Sequence, residues 1–405
     1  MPVGYSQLPE LLPIEGVRLA SVAAGIRHAG RDDMVVMELA EGSQCAAVFT
    51  RNAFCAAPVV VAREHLQQFA PRFLLINSGN ANAGTGAQGL AAARQCCVSL
   101  ADKAGCSPVQ VLPFSTGVIG EPLPVPRLEG CMDQALQQLS EQGWQAAAHA
   151  IMTTDTVAKG LSKTIDVDGH TVTITGMVKG AGMIRPDMAT MLAYVATDAQ
   201  LDRAVAQQVL DRSVQGSFNR ITVDGDTSTN DACVLIATGA AGKVPIRPGS
   251  SQYSVFAEAI DQVCRQLAQL IVRDAEGATK FVTIDVVGGR DTDECLQVAY
   301  TVAHSPLVKT ALFAGDPNWG RILAAVGRAG LEQLQIDQIR IFLGEVCIVR
   351  NGGVDSGYRE QDGQRVMARD EIDIRIELGR GDAAEQVWTS DLSHDYVRIN
   401  AEYRT

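Results

Sequence analysis

The chain runs to 405 residues, 46% hydrophobic and 20% charged, with a formal net charge of −12 and a pI near 5.0. That composition belongs to a globular protein with a sizeable core, and it excludes disordered and fibrous classes. The acidic balance and the lack of a Lys/Arg cluster argue against nucleic acid as a partner. No apolar run reaches the roughly 18 residues that span a bilayer, and the first cation is Arg18, so the expectation is a cytoplasmic protein with no membrane partner.

In chain order, the apolar stretch 73–76 reads as a strand leading into the polar loop Asn77-Ser78-Gly79-Asn80-Ala81-Asn82-Ala83-Gly84. An alanine-rich stretch, 88–104, predicts a helix, and the apolar 111–114 a second strand, followed by Ser115-Thr116-Gly117-Val118-Ile119-Gly120. Leu128, Met132, Leu136 and Leu139 recur at helical spacing. Ile165/Val167 and Val172/Ile174 flank Asp168-Gly169, the composition of a tight hairpin. The segment Lys179-Gly180-Ala181-Gly182-Met183-Ile184-Arg185-Pro186-Asp187-Met188-Ala189-Thr190 is a glycine-rich loop stiffened by Pro186, and Thr190 opens an apolar run that reads as a buried strand. Leu201, Val205 and Val209 predict a helix, as does the series Phe256, Ile260, Cys264, Leu267, Ile271. Strands are expected at 281–287, 296–302, 339–349 and 372–378. Helices interleaved with many strands indicate an α/β layered fold. No repeat, low-complexity tract or linker divides the chain.

Four stretches could carry chemistry. A threonine hydroxyl beside a glycine amide, as at Thr116-Gly117, can aim two donors at one oxyanion, although a turn built from the same residues is commoner. The stretch 221–231, ending Thr229-Asn230-Asp231, superficially resembles a calcium loop but has Thr229 where glycine is needed and Leu235 where glutamate is needed, so a hydrogen-bonded turn is expected. After the 256–271 helix, Gly277 reads as a helix stop, and Glu276 as either solvated charge or an ammonium-binding carboxylate. A threonine whose hydroxyl attacks the preceding carbonyl becomes a new N-terminus with its own amine as base, which Ala189-Thr190 would suit. Taken alone, a threonine at a strand's start is far more often structural. The ten cysteines form no C-x-x-C pair and read as reduced core residues, and no metal-ligand spacing appears.

Together the segments Ala47-Val48-Phe49-Thr50-Arg51-Asn52, Asn77 to Asn82, Ser115 to Gly120, Met152-Thr153-Thr154-Asp155-Thr156, Lys179 to Leu192, Ile221 to Asp231 and Gly315-Asp316-Pro317-Asn318-Trp319-Gly320-Arg321 closely resemble the ornithine acetyltransferase family of arginine biosynthesis. Members are glutamate N-acetyltransferases, some of them also amino-acid N-acetyltransferases. The resemblance implies the family's self-processing, N-terminal-threonine-nucleophile fold, which is also that of DmpA-like enzymes. It implies cleavage between Ala189 and Thr190 into an α chain, 1–189, and a β chain, 190–405, packed as one unit and assembled as an α2β2 heterotetramer. Thr190 is then the nucleophile, and Thr116 and Gly117 the oxyanion hole. The substrate contacts fall on Lys179, Thr190, Glu276, Asn400, Thr405 and on Thr153 or Thr154, whose register the sequence leaves open. The implied reaction moves acetyl from N-acetylornithine to glutamate by a ping-pong route through acetyl-threonine, with no cofactor. Acetyl-CoA as a second donor stays open. The competing readings are a self-processing aminopeptidase or amidase with the same threonine, and a non-catalytic homologue in which Thr190 merely begins a strand.

Overall fold

Every second residue of the strand Met34–Leu39 enters a different apolar core. Val35, Met37 and Leu39 pack into one, Met34 and Val36 into another. A strand apolar on both faces must be covered on both. In the computed structural model, which describes residues 2–27, 29–185, 191–242 and 246–403, this strand lies in the larger of two bodies, formed by residues 7–219 and 226–271. Its sheet runs in the order Val17–Val22, Met34–Leu39, Phe73–Asn80, Val111–Val118, with the last pair parallel.

One face of that sheet meets a second sheet, ordered Gln44–Phe49, Ala232–Ala237, Leu192–Thr197, His170–Lys179, Lys159–Val167. Leu19, Leu74, Ile76, Leu112 and Phe114 from the first sheet share a core with Met177, Leu192, Tyr194, Val234 and Ile236 from the second. The rings of Phe114 and Tyr194 meet edge to face across it, 5.4 Å apart. The other face of the first sheet is covered by helices Gly86–Ala104 and Val125–Gln137 through Cys97, Leu100, Leu128 and Met132. Helix Ser251–Arg273 belongs to this body through Ile271 and packs on the outer face of the second sheet, where Leu267 and Val263 close on Gly176. The layers therefore run helix, sheet, sheet, helix.

The smaller body comprises residues 1–6, 220–225 and 272–403. Its principal strands are Arg340–Leu343, Val346–Arg350, Glu371–Glu377, Phe281–Gly289 and Ala383–Ser390. In Glu371–Glu377, buried Ile372, Ile374 and Ile376 alternate with exposed Glu371, Asp373 and Arg375, so one face of the sheet holds the core.

Several sequence expectations shift. Residues 296–302 form not a strand but part of helix Thr292–Ala303: Cys295, Val298, Ala299 and Val302 are buried at helical spacing, and Asp291 caps the first turn by accepting from Glu294 N. The apolar stretch 339–349 is two antiparallel strands turned at Gly344, φ +53°. Leu139 and Leu201 lie just outside helices Val125–Gln137 and Arg203–Gln215. The hairpin forms at Asp168 and Gly169, whose φ values of +54° and +79° are those of the mirror-image turn favoured between antiparallel strands. No disulfide joins any of the ten cysteines, and burial pushes the Cys45 and Cys96 thiols up to about 12.

Candidate functional site

The parallel strands Phe73–Asn80 and Val111–Val118 end side by side, and their polar tails follow from the change of composition at Asn77 and Ser115. Ser115 Oγ donates to Asn77 Oδ1 at 2.6 Å, and Asn77 Nδ2 to Asn80 O at 2.9 Å. Gly117 has φ +130°, and a β-carbon there would lie 2.3 Å from the carbonyl carbon of Gly79. Only glycine lets the two backbones approach so closely. Asn230, from the stretch that superficially resembles a calcium loop, is buried and donates through Nδ2 to Ala81 O at 2.6 Å and to Ser115 O at 2.9 Å. That stretch is a hydrogen-bonded clamp on both strand ends.

Lys179 closes the strand His170–Lys179, and its buried ammonium donates to Thr116 Oγ1 at 3.1 Å and to Thr153 Oγ1 at 2.7 Å. Of the two threonines in doubt, Thr153 is therefore the one bonded to Lys179. An ammonium can only donate, so Thr116 and Thr153 accept from it and each retains its own hydroxyl proton for another acceptor. Below them Asp155 and Lys159 form an ion pair of 2.7 Å, both side chains wholly shielded from solvent. Asp155 also accepts from Thr153 N at 2.9 Å and Gly180 N at 2.7 Å. Burial alone would raise its carboxyl, but Lys159, Lys179 and these bonds outweigh it and hold the group well below the usual carboxylate range.

Residues 186–190, and with them the expected cleavage pair Ala189 and Thr190, lie outside the described residues, as does Thr405. The first described residue beyond the pair, Met191, donates its N–H to Asp231 Oδ1 at 2.9 Å, and Leu192 pairs with Lys179 in the antiparallel ladder. In the smaller body Glu276 is buried rather than solvated, and it accepts from Asn400 Nδ2 at 2.7 Å. Gly277 does more than stop a helix: with φ +68°, a β-carbon there would sit 2.5 Å from Tyr396 N, so glycine lets the loop rest on the first turn of helix His394–Glu402.

The described geometry thus gathers Thr116, Gly117, Thr153 and Lys179 in one body, and Glu276 with Asn400 in the other. Thr154 makes no contact with Lys179 among those described. Sequence reasoning passed over Asp155, Lys159 and Asn230. An Asp and a Lys four residues apart was the available signal for the first two; for Asn230, whose acceptors are far away in sequence, none existed. No group of metal-ligating side chains occurs among the described residues, and no described helix is long and apolar enough to cross a membrane.

An α/β enzyme with a threonine-, lysine- and glycine-lined polar site is the class these features define. The sequence profile of the ArgJ family matches residues 18–405. The chain is 58% identical over 406 residues to the arginine biosynthesis bifunctional protein ArgJ of Pseudomonas fluorescens, covering all of both chains. It is 58% identical over 395 residues to the protein of the same name from Methylococcus capsulatus, covering 98% of this chain and 97% of that one. A crystal structure of the Bacillus halodurans arginine biosynthesis bifunctional protein superposes with a TM-score of 0.51 at 39% identity, covering 53% of this chain and 100% of that chain. The chain belongs to the ArgJ family of bifunctional arginine-biosynthesis enzymes.

Proposed function

We propose that the protein cleaves itself between Ala189 and Thr190 and then transfers acetyl from N-acetylornithine to glutamate. The observation that carries this reading is the Lys179–Thr116 bond: because the ammonium donates, the Thr116 hydroxyl proton is left to stabilise an acyl oxyanion beside the Gly117 amide. In self-processing, Thr190 Oγ attacks the Ala189 carbonyl, the peptide nitrogen leaves with a proton, and water hydrolyses the resulting ester. The liberated α-amine then serves as base. In turnover, the Thr190 hydroxyl takes the acetyl group and its proton passes through that amine to departing ornithine. Glutamate's amine attacks the acetyl-threonine ester, which restores the hydroxyl and releases N-acetylglutamate.

The remaining roles are assigned by charge. Lys179 and the Thr153 hydroxyl suit the substrate carboxylate, and Glu276, oriented by Asn400, suits the side-chain ammonium of ornithine. Thr405 is retained as a substrate contact from the family resemblance. No step in this scheme needs a cofactor, and acetyl-CoA would enter, if used, as an alternative donor to the same threonine.

Two facts support the cut. The whole Bacillus halodurans chain is matched by 53% of this one, the share that a piece from Thr190 to Thr405 would make, 216 of 405 residues. Strands from both sides of the cut also pair, His170–Lys179 with Leu192–Thr197 and Gln44–Phe49 with Ala232–Ala237, which would keep the two products associated. We assign the cleaved protein to the cytoplasm as an α2β2 heterotetramer. The test is an assay of purified protein with N-acetylornithine, with and without glutamate. Formation of N-acetylglutamate supports the reading, whereas acetate released at the same rate without glutamate would make the protein an amidase.

A further inference from the structure

We propose that Asp155 is the positioning residue that aims the Lys179 ammonium at Thr116 and Thr153. The proposal rests on the acetyl-transfer reading and adds to it a residue with no assigned part. Lys179 carries its charge on a four-carbon stem with many rotamers, so its direction must be imposed by what surrounds it. One carboxylate grips the main chain on both sides of its contact: Gly180, the residue after Lys179, donates N–H to Asp155 Oδ1 at 2.7 Å, and Thr153, the residue Lys179 reaches, donates N–H to Asp155 Oδ2 at 2.9 Å. The spacing of donor and acceptor is thereby fixed by a single side chain, itself locked by Lys159 Nζ at 2.7 Å with no solvent access. Asp155 touches none of the reacting groups in the scheme. Its effect passes through Lys179.

Asp155→Asn alone would leave Lys159 charged and buried beside a neutral amide, and could prevent folding. The informative variant is therefore Asp155→Asn combined with Lys159→Met, which removes the pair together, compared with Lys179→Met and with the triple variant. Lys179→Met should lower kcat/KM for acetyl transfer by about 10- to 100-fold, the worth of a charged hydrogen bond, and Asp155→Asn/Lys159→Met should lose a similar factor. Because both act through one ammonium, the triple variant should lose no more than about threefold beyond Lys179→Met. Losses that multiply in the triple variant, or wild-type kcat/KM in the pair variant, would overturn the proposal while leaving the reaction intact. A wild-type protein that transfers no acetyl group defeats the underlying reading, and the proposal with it.

Discussion

At Gly117 the chain has no room for a β-carbon, and the clash is with backbone rather than with a side chain that could turn away. Gly117→Ala should therefore separate the two parallel strand ends, costing about 3 kcal/mol or more and removing the proposed oxyanion geometry; chemical denaturation alongside the acetyl-transfer assay checks both. Thr116→Ala should leave stability nearly unchanged and lower kcat on the order of 10²- to 10³-fold, while Thr116→Ser, which keeps the donor, should recover most of it. An alanine variant within tenfold of wild type would remove Thr116 from the oxyanion role. At this scale the sequence was informative where chemistry is written in residue type: Gly117 and Thr116 stood out as a donor pair. It could not separate Thr153 from Thr154, because neighbouring threonines differ only in which way the backbone turns them, and it offered two readings of Glu276 because burial is not local.

Elements are held in place by residues far away in sequence. Asn230 bonds carbonyls at Ala81 and Ser115, on either side of the parallel strand pair, so Asn230→Ala leaves two buried acceptors unsatisfied. The expected loss is about 2–4 kcal/mol, seen as a lower denaturant midpoint at unchanged slope. The long-range origin of such contacts explains what the sequence left hidden. Helix Ser251–Arg273 was legible because its apolar stripe repeats over several turns, and the hairpin because Asp168-Gly169 names its own turn. Residues 296–302 misled because a short apolar run looks alike in a buried helix and a strand, and here the cap at Asp291 decides. The stretch 221–231 looked like a loop with ligands of its own, yet Asn230 and Asp231 spend their polar atoms on distant main chain.

For the whole molecule, pH enters through Lys309, which is buried in the smaller body with Nζ donating to Thr389 Oγ1 at 3.0 Å and to Ser390 O. Burial lowers its pKa to about 8, against the opposing pull of Asp391 and Asp224. The folded value lies below the unfolded one, so the unfolded state binds more protons between them and stability rises with pH across that window. Relative to Lys309→Met, the wild-type protein should gain stability between about pH 8 and 10.5, by about 3 kcal/mol at most, measured as the difference between the two melting temperatures over a pH series. A constant difference would mean that Lys309 is not buried as an ammonium. Chain-wide motif matching was what made the nucleophile legible, since nothing local at Ala189-Thr190 distinguishes a cleavage site from a strand's beginning.

The central claim is that Thr190 becomes a new terminus and carries the acetyl group. Intact mass of the purified protein, after incubation with N-acetylornithine in the absence of glutamate, tests it most directly. The account predicts two chains, 1–189 and 190–405, with the second heavier by one acetyl group that disappears when glutamate is added. A single uncleaved chain of 43.1 kDa, or a cleaved one that never carries acetyl, would contradict it.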